Sequence, residues 1–386
     1  MRLNKENKIK SFFRSILQKD KSKHGPDYKI IVITWLLVLF GVIVLLSSSP
    51  VLSYKKYENI YYVFWHQILL GVLPGILCFY VLSKIDFNVW RKYSLLMLVI
   101  SIILLTLVFI PGLGTDYGKD ARSWINIFGI SVQPSEIVKL TLLIYIASWI
   151  ESRGQRVKDF YQGFVPFLFL LIIIAILMLL QPDLGTLFII FIIAFTGFFV
   201  GGGNIKHIIS LLIIAFVSGF IAIKTAPYRL ARLTVFLNPN SDTSGIGYHL
   251  NQALIAIGSG GIFGVGLGQS RQKYGYIPEV AGDSIFAIMG EELGFLICFL
   301  YILAIFLLMS YGFKVASRTK SIYGKVLSVG IISWIGFQSL INICSMIGLM
   351  PMTGVPLPFV SYGGTAMIMN LSAMGILVNI SKHTVR

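Results

Sequence analysis

Charge is scarce in this chain. Only 12% of its 386 residues are charged and Asp plus Glu number 16, whereas a soluble domain is about 25% charged. Cysteine is nearly absent too: Cys78, Cys298 and Cys344 each fall inside an apolar run, without CxxC or Cys/His spacing. That excludes a disulfide framework and a thiolate metal site, and the three read as small buried residues. There is no HExxH, no GxSxG and no catalytic Cys/His pair. The glycines at 258, 260, 261, 264, 266 and 268 match neither GxGxxG nor GxxxxGK[ST], so nucleotide chemistry is excluded and close backbone packing is the better account.

What is abundant is hydrophobicity, at 56% of residues. Apolar runs of roughly 17 to 25 residues, each able to cross a bilayer core as a helix, recur almost to the C-terminus. The chain reads as an all-α integral membrane protein of about ten spans: Ile30–Ser48, Tyr62–Leu82, Tyr93–Ile110, Ser135–Trp149, Phe164–Leu180, Thr186–Val200, His207–Ile223, Ile285–Tyr311, Val326–Leu349 and Gly363–Ile380. The fourth and sixth are short enough that neighbouring loop is expected at membrane depth.

Net charge is +16, which by itself suggests nucleic acid. With both termini cytoplasmic, however, most of the 32 Lys and Arg fall in cytoplasmic segments, so the basic charge is mainly topological. Residues 1–29 form a basic cytoplasmic tail without a cleavable signal pattern, 30–380 a single membrane domain, and 381–386 a short cytoplasmic tail. Two outer connections are unusually long, Gly112–Pro134 and, between spans 7 and 8, residues 226–282; loops of that length are functional or disordered. The periodic apolar residues Leu250, Leu254, Ile255 and Ile257 predict an ordered short helix in the second.

The stretch Y-I-P-E-V-A-G-D-S-I-F-A-I-M-G-E-E-L-G, Tyr276 to Gly294, puts Glu279, Asp283, Glu291 and Glu292 at the mouth of an apolar segment. Acids there are paired, water-exposed or functional. Asp283 suits either an N-cap or a general base, and the two roles are compatible. Glu291 falls about 80° around a helix from Asp283 and Glu292 nearly opposite, which favours a structural ion pair for those two. Glu136 and Lys139 stand at i and i+3, a self-neutralising pair or a substrate clamp. Asp183, in Q-P-D-L-G-T, reads as a helix cap. Arg122 and Trp124 in the first long loop, and Arg229, Arg232, Arg271 and Lys273 in the second, suit an anionic outer ligand such as a pyrophosphate, or lipid phosphates.

Several stretches appear together and in order: K-D-A-R-S-W-I-N-I-F-G-I-S-V-Q-P-S-E-I-V-K-L, Q-P-D-L-G-T, Y-R-L-A-R-L-T-V-F-L-N-P, Q-A-L-I-A-I-G-S-G-G-I-F-G-V-G-L-G-Q-S, the Asp283 stretch, and P-L-P-F-V-S-Y-G-G-T. This set resembles the SEDS family, whose members include RodA, FtsW and SpoVE. The resemblance implies a peptidoglycan glycosyltransferase that polymerises lipid II on the outer membrane face, inverting the anomeric centre as undecaprenyl pyrophosphate leaves. It implies Asp283 as general base, Arg122, Trp124, Glu136 and Lys139 as residues that bind substrate or support the site, and the arginines as stabilising the departing pyrophosphate; Arg229, Arg232, Lys273 and Glu279 are the further residues expected to bind substrate.

No metal site or certain cofactor is implied, and a divalent cation is left open. The implied partners are lipid II, a class B penicillin-binding protein transpeptidase and other division or elongation membrane proteins, with no nucleic acid. The Arg229/Arg232 spacing, G-L-G-Q-S-R-Q-K and F-V-S-Y-G-G look more like FtsW than RodA. The chain departs from the family where members commonly read H-T-D-F: here it reads Ala281-Gly282-Asp283-Ser284. The Asp is kept, while any role of those neighbours is put in doubt. The rival readings are a lipid-linked-sugar flippase, expected to spread polar groups through both leaflets, and a scaffold for a transpeptidase, which has no need of Asp283.

Overall fold

A computed structural model describes residues 24–115, 123–127, 129–238, 245 and 247–385. A helix stands at every one of the ten expected positions: α1 Tyr28–Ser48, α3 Tyr62–Lys84, α4 Asn88–Leu107, α5 Pro134–Arg153, α6 Phe160–Leu180, α7 Leu184–Val200, α8 Ile205–Lys224, α11 Ile285–Arg318, α12 Ile322–Met346 and α13 Gly364–Ser381. Eight of these are long and apolar enough to cross a membrane. The chain is a multi-pass membrane protein. Of the other two, α7 is the shorter apolar one at 17 residues, whereas α5 runs to 20 residues and so exceeds the short fourth span expected from sequence. The added turn at Ile150–Arg153 is polar, and Glu151 in it is paired with Arg91 across 2.6 Å.

Local sequence starts these helices. Asp27 accepts from the Lys29 amide, Asp183 from Thr186, Asn204 from Lys206 and Ser321 from Gly324. Each cap satisfies one of the donors that a helix N-terminus leaves open. Burial then sorts the bundle. The best apolar windows of α12 and α13 are 83% buried, against 17% for α8, so α12 and α13 are its centre and α8 lies at its edge.

The long connections are not plain loop. Between α4 and α5 stands a small antiparallel sheet of β1 Gly114–Thr115, β2 Trp124–Ile127 and β3 Ile130–Val132, in the order β1-β2-β3. This is a departure from a purely α reading. A short helix, α2 Pro50–Tyr57, follows α1, and the 226–282 segment carries α9 Pro227–Leu237 and α10 Tyr248–Gly260. The second of these is the helix that the 250–257 periodicity predicts.

α11 is two helices joined across a kink, because Gly294 has φ 74° and ψ −178°. The glycine run repairs the break. Val265 and Gly266 donate their amides to Glu291 O and Glu292 O, and Phe295 and Leu296 donate to Gly261 O and Ile262 O. Backbone groups freed at membrane depth need such partners. The two chains approach so closely that a Cβ on Gly264, itself at φ +80°, lies 2.2 Å from Glu292 O. Close backbone packing is therefore what Gly264 and Gly260 do, a Cβ on Gly260 meeting Gly290 O at 2.0 Å, whereas the expectation fails at Gly258, Gly261 and Gly268, where a Cβ has no neighbour within 4 Å.

Candidate active site

Asp283 lies in a turn just before α11. The N-cap position of that helix is Ser284, and its side chain makes no cap hydrogen bond. The turn starts at Glu279, which is exposed and has φ 52°, and closes with Gly282 N donating to Glu279 O across 2.8 Å. Its carbonyls are then taken one by one. Tyr362 N donates to Ala281 O, the Ser361 hydroxyl to Gly282 O and Asn342 Nδ2 to Asp283 O, at 2.7, 2.6 and 2.7 Å. The backbone of Asp283 is thus fixed by α12 and by the segment between α12 and α13, while the residue as a whole remains partly exposed.

That segment, residues 347–363, is the frame of the site. It has no helix and is buried mainly from Val355 onward, and carbonyls there are met by side chains: Val355 O by Asn342, Pro356 O by Gln338 and Pro358 O by Tyr301. Gly41 of α1 lies against it so tightly that a Cβ there meets Phe359 O at 2.1 Å. None of Gln338, Asn342, Ser361 and Tyr362 was singled out from sequence as a site residue. The signal available was P-L-P-F-V-S-Y-G-G-T, a Pro/Gly interruption between two apolar helices.

Beside the turn is a cavity of about 280 Å³ lined by Tyr228, Arg232, Val235, His249, Leu250 and Met352, among others. Arg232 and Arg229 both lie over the Tyr228 ring, 5.9 and 5.3 Å from its centre. Arg232 donates to Met352 O, and Arg229 to the Tyr228 hydroxyl and Ala222 O. Guanidinium groups stacked on an aromatic face are ordered without being neutralised. Met352 and Gly354 carry the cavity wall to Asp283, for a Cβ on Gly354 lies 3.7 Å from Asp283 Oδ2.

The Gln181–Asp183 turn joins this cavity to the small sheet. Ser123, next to Trp124, donates to Gln181 O, and the Tyr228 hydroxyl reaches Pro182 O. Trp124 is half-buried on β2, next in the chain to that contact. Asp183 is the cap expected of it. Burial pushes its carboxyl above the usual carboxylate range, with the Thr186 amide and the Lys139 charge pulling it back down. Arg122 lies outside the described residues.

Three of the expected contact residues, Glu136, Lys139 and Lys273, lie inside the fold. Lys139 is 1% exposed, donates to Glu136 at 2.7 Å and to Gln338 at 2.8 Å, and sits 4.9 Å from the Trp334 ring centre. Lys273 is 5% exposed and donates to Glu292, Gly268 O and Ser47 O at 2.8, 2.7 and 3.2 Å. An ammonium has three protons, and here all three are engaged. The picture of Lys273 as an outward-facing phosphate ligand is therefore corrected: it is a tether. Glu291 and Glu292 complete the tether, one accepting from the Ser270 hydroxyl and the Arg271 and Gln272 amides, the other from the Ser47 hydroxyl and the Ser270 amide. Of the ion pairs expected at Glu291 and Glu292, the one at Glu292 exists, with a loop lysine rather than a residue of a neighbouring helix, whereas Glu291 is met by a hydroxyl and two amides instead of a cation. Among the described residues no cluster of three or more His, Cys, Asp or Glu could hold a metal ion.

A family model described as "Cell cycle protein", spanning FtsW, RodA and SpoVE, matches residues 28–386. The chain belongs to the SEDS family. Stage V sporulation protein E of Bacillus subtilis (strain 168) is 39% identical over 363 residues, covering 94% of this chain and 98% of the relative. A probable peptidoglycan glycosyltransferase FtsW of Geobacter sulfurreducens (strain PCA) is 36% identical over 357 residues, covering 92% and 95%. The SEDS membership thus holds while the lean toward FtsW does not stand out, since the sporulation relative matches at least as well. Among solved structures the fold matches RodA of Thermus thermophilus with TM-score 0.68 at 23% identity, covering 94% of this chain and 98% of that one. It also matches, with TM-score 0.75 at 23% identity and 92% and 97% coverage, a chain from work on "polymerization and crosslinking by a peptidoglycan synthase complex". At these identities the structural likeness is one of fold.

Proposed function

We propose that this SEDS protein is a peptidoglycan glycosyltransferase that polymerises lipid II at the outer face of the cytoplasmic membrane, with Asp283 as general base. The observation that carries the reading is a carboxylate in a rigidly held turn beside a cavity that presents Arg232. In the reaction Asp283 takes the proton of the acceptor sugar's 4-hydroxyl as that oxygen attacks the anomeric carbon of the donor. The bond to undecaprenyl pyrophosphate breaks, its electron pair leaves on the pyrophosphate, and the anomeric configuration inverts. Arg232, and Arg229 beside it, stabilise the charge that grows on the leaving group, which is electrostatic preorganisation. Trp124, Arg122 and Glu279 are the further candidates for substrate contact, and the Glu136–Lys139 and Glu292–Lys273 pairs support the site from within.

The relatives named as FtsW and stage V sporulation protein E, together with the FtsW-like spacing of Arg229 and Arg232, support placing the protein with the division and sporulation members. By the same likeness the partner is a class B penicillin-binding protein transpeptidase, and the protein works beside other membrane proteins of wall synthesis. The test is conversion of labelled lipid II into glycan strands by the purified protein with its transpeptidase partner. Wild type is expected to polymerise, and Asp283→Asn, folded and monodisperse, to lose at least about 10²-fold of that rate, the scale of general-base contributions. Undiminished polymerisation by Asp283→Asn would remove Asp283 from the chemistry.

A further inference from the structure

His249 stands on the first turn of α10 and lines the cavity with Arg232 and Met352. Its Nε2 lies 2.6 Å from Ser284 Oγ, and that hydroxyl also lies 2.7 Å from Pro278 O. A serine hydroxyl has one proton to give, and a carbonyl can only accept. The Ser284 proton therefore goes to Pro278, and Nε2 of His249 is the donor to Ser284. This fixes both the protonated nitrogen and the plane of the ring. Ser284 is 0% exposed, so water does not compete for its hydroxyl and the hydrogen bond counts for more than a surface one.

Ser284 directly follows Asp283. In the run Ala281-Gly282-Asp283-Ser284 the two preceding residues have no polar side chain, so the Ser284 hydroxyl is the side-chain handle on this part of the turn. Ser361, Tyr362 and Asn342 hold the turn from the bundle centre. His249 holds it from α10, at the cavity wall.

We propose that His249 is a positioning residue for Asp283: through its hydrogen bond to the buried Ser284 hydroxyl it sets where the carboxylate stands relative to the cavity. The proposal rests on Asp283 being the general base. It also accounts for how this chain steadies the acid without the His, Thr and Phe that commonly flank it in the family.

The experiment is the lipid II polymerisation assay on full-length protein, in complex with its transpeptidase partner where needed, with kcat and KM measured separately. Misplacement of a reacting group by about 1 Å costs on the order of 10²-fold, so His249→Ala is expected to lower kcat about 10- to 100-fold while KM stays within about 3-fold. His249→Gln, whose amide nitrogen can donate to Ser284 Oγ, is expected to recover most of that loss. Ser284→Ala is expected to match His249→Ala, and the double variant to be no worse than either, the non-additivity of two residues in one hydrogen bond. Ser284→Thr restores a hydroxyl and is expected to recover activity, which decides the matter should His249→Ala fail to fold.

The proposal is overturned if His249→Gln is as impaired as His249→Ala, if the loss lies in KM alone, or if Ser284→Ala keeps the wild-type kcat. Asp283→Asn runs beside these variants. Polymerisation that survives Asp283→Asn overturns the base assignment and this proposal with it, whereas an inactive Asp283→Asn beside an unimpaired His249→Ala overturns the positioning role alone.

Discussion

Replacing Lys273 by Met keeps the length and apolar stem of the side chain and removes its three donors. In the native fold those donors meet Glu292, Gly268 O and Ser47 O, in a site where lysine and glutamate are 5% and 3% exposed. Removing one partner of such a pair leaves an uncompensated buried charge, at a cost of about 3 to 5 kcal/mol. Glu292 keeps the Ser47 hydroxyl and the Ser270 amide, which puts Lys273→Met near the lower end, about 3 kcal/mol. Glu292→Met strands the ammonium instead, although two carbonyls still accept from it. With both replaced no charge is left, so the double variant is expected to be less destabilised than the sum of the two, with a coupling of at least about 1.5 kcal/mol. The assay is equilibrium unfolding in mixed micelles for wild type, the two single variants and the double. A Lys273→Met protein within about 1 kcal/mol of wild type, or strict additivity, would refute the tether.

Gly264→Ala is expected to destabilise by at least about 2 kcal/mol, since backbone must move to admit the methyl group, whereas Gly258→Ala, with open space around its Cβ in helix α10, should be neutral or gain about 0.5 to 1 kcal/mol; thermal transitions of the two compared with wild type decide. Asn342→Ala orphans Asp283 O and Val355 O, at about 1 to 3 kcal/mol for each buried acceptor, and should lower both the thermal midpoint and the polymerisation rate; unchanged values of both would count against the frame described for Asp283.

The sequence determined the helices. Apolar runs long enough for a bilayer must be helical because hydrocarbon offers no partner for backbone polar groups, so a helix at each of the ten positions was legible, eight of them long and apolar enough to cross a membrane, as were the helix at 248–260, the cap at Asp183 and the close packing at Gly260 and Gly264. The candidate acid was legible too, because a carboxylate at the mouth of an apolar segment is costly enough to stand out. What surrounds it was decided by tertiary structure.

That Lys273 turns inward to Glu292 while Arg232 faces a cavity cannot be read from two basic residues in one loop. Likewise Asn342, Ser361, Tyr362 and His249 meet the Asp283 turn from positions up to 81 residues away in the chain. The physical reason is that helix formation is settled by each segment's own hydrogen bonds and apolar faces. The partner of a buried polar side chain is instead settled by which distant segments the packed bundle brings within about 3 Å.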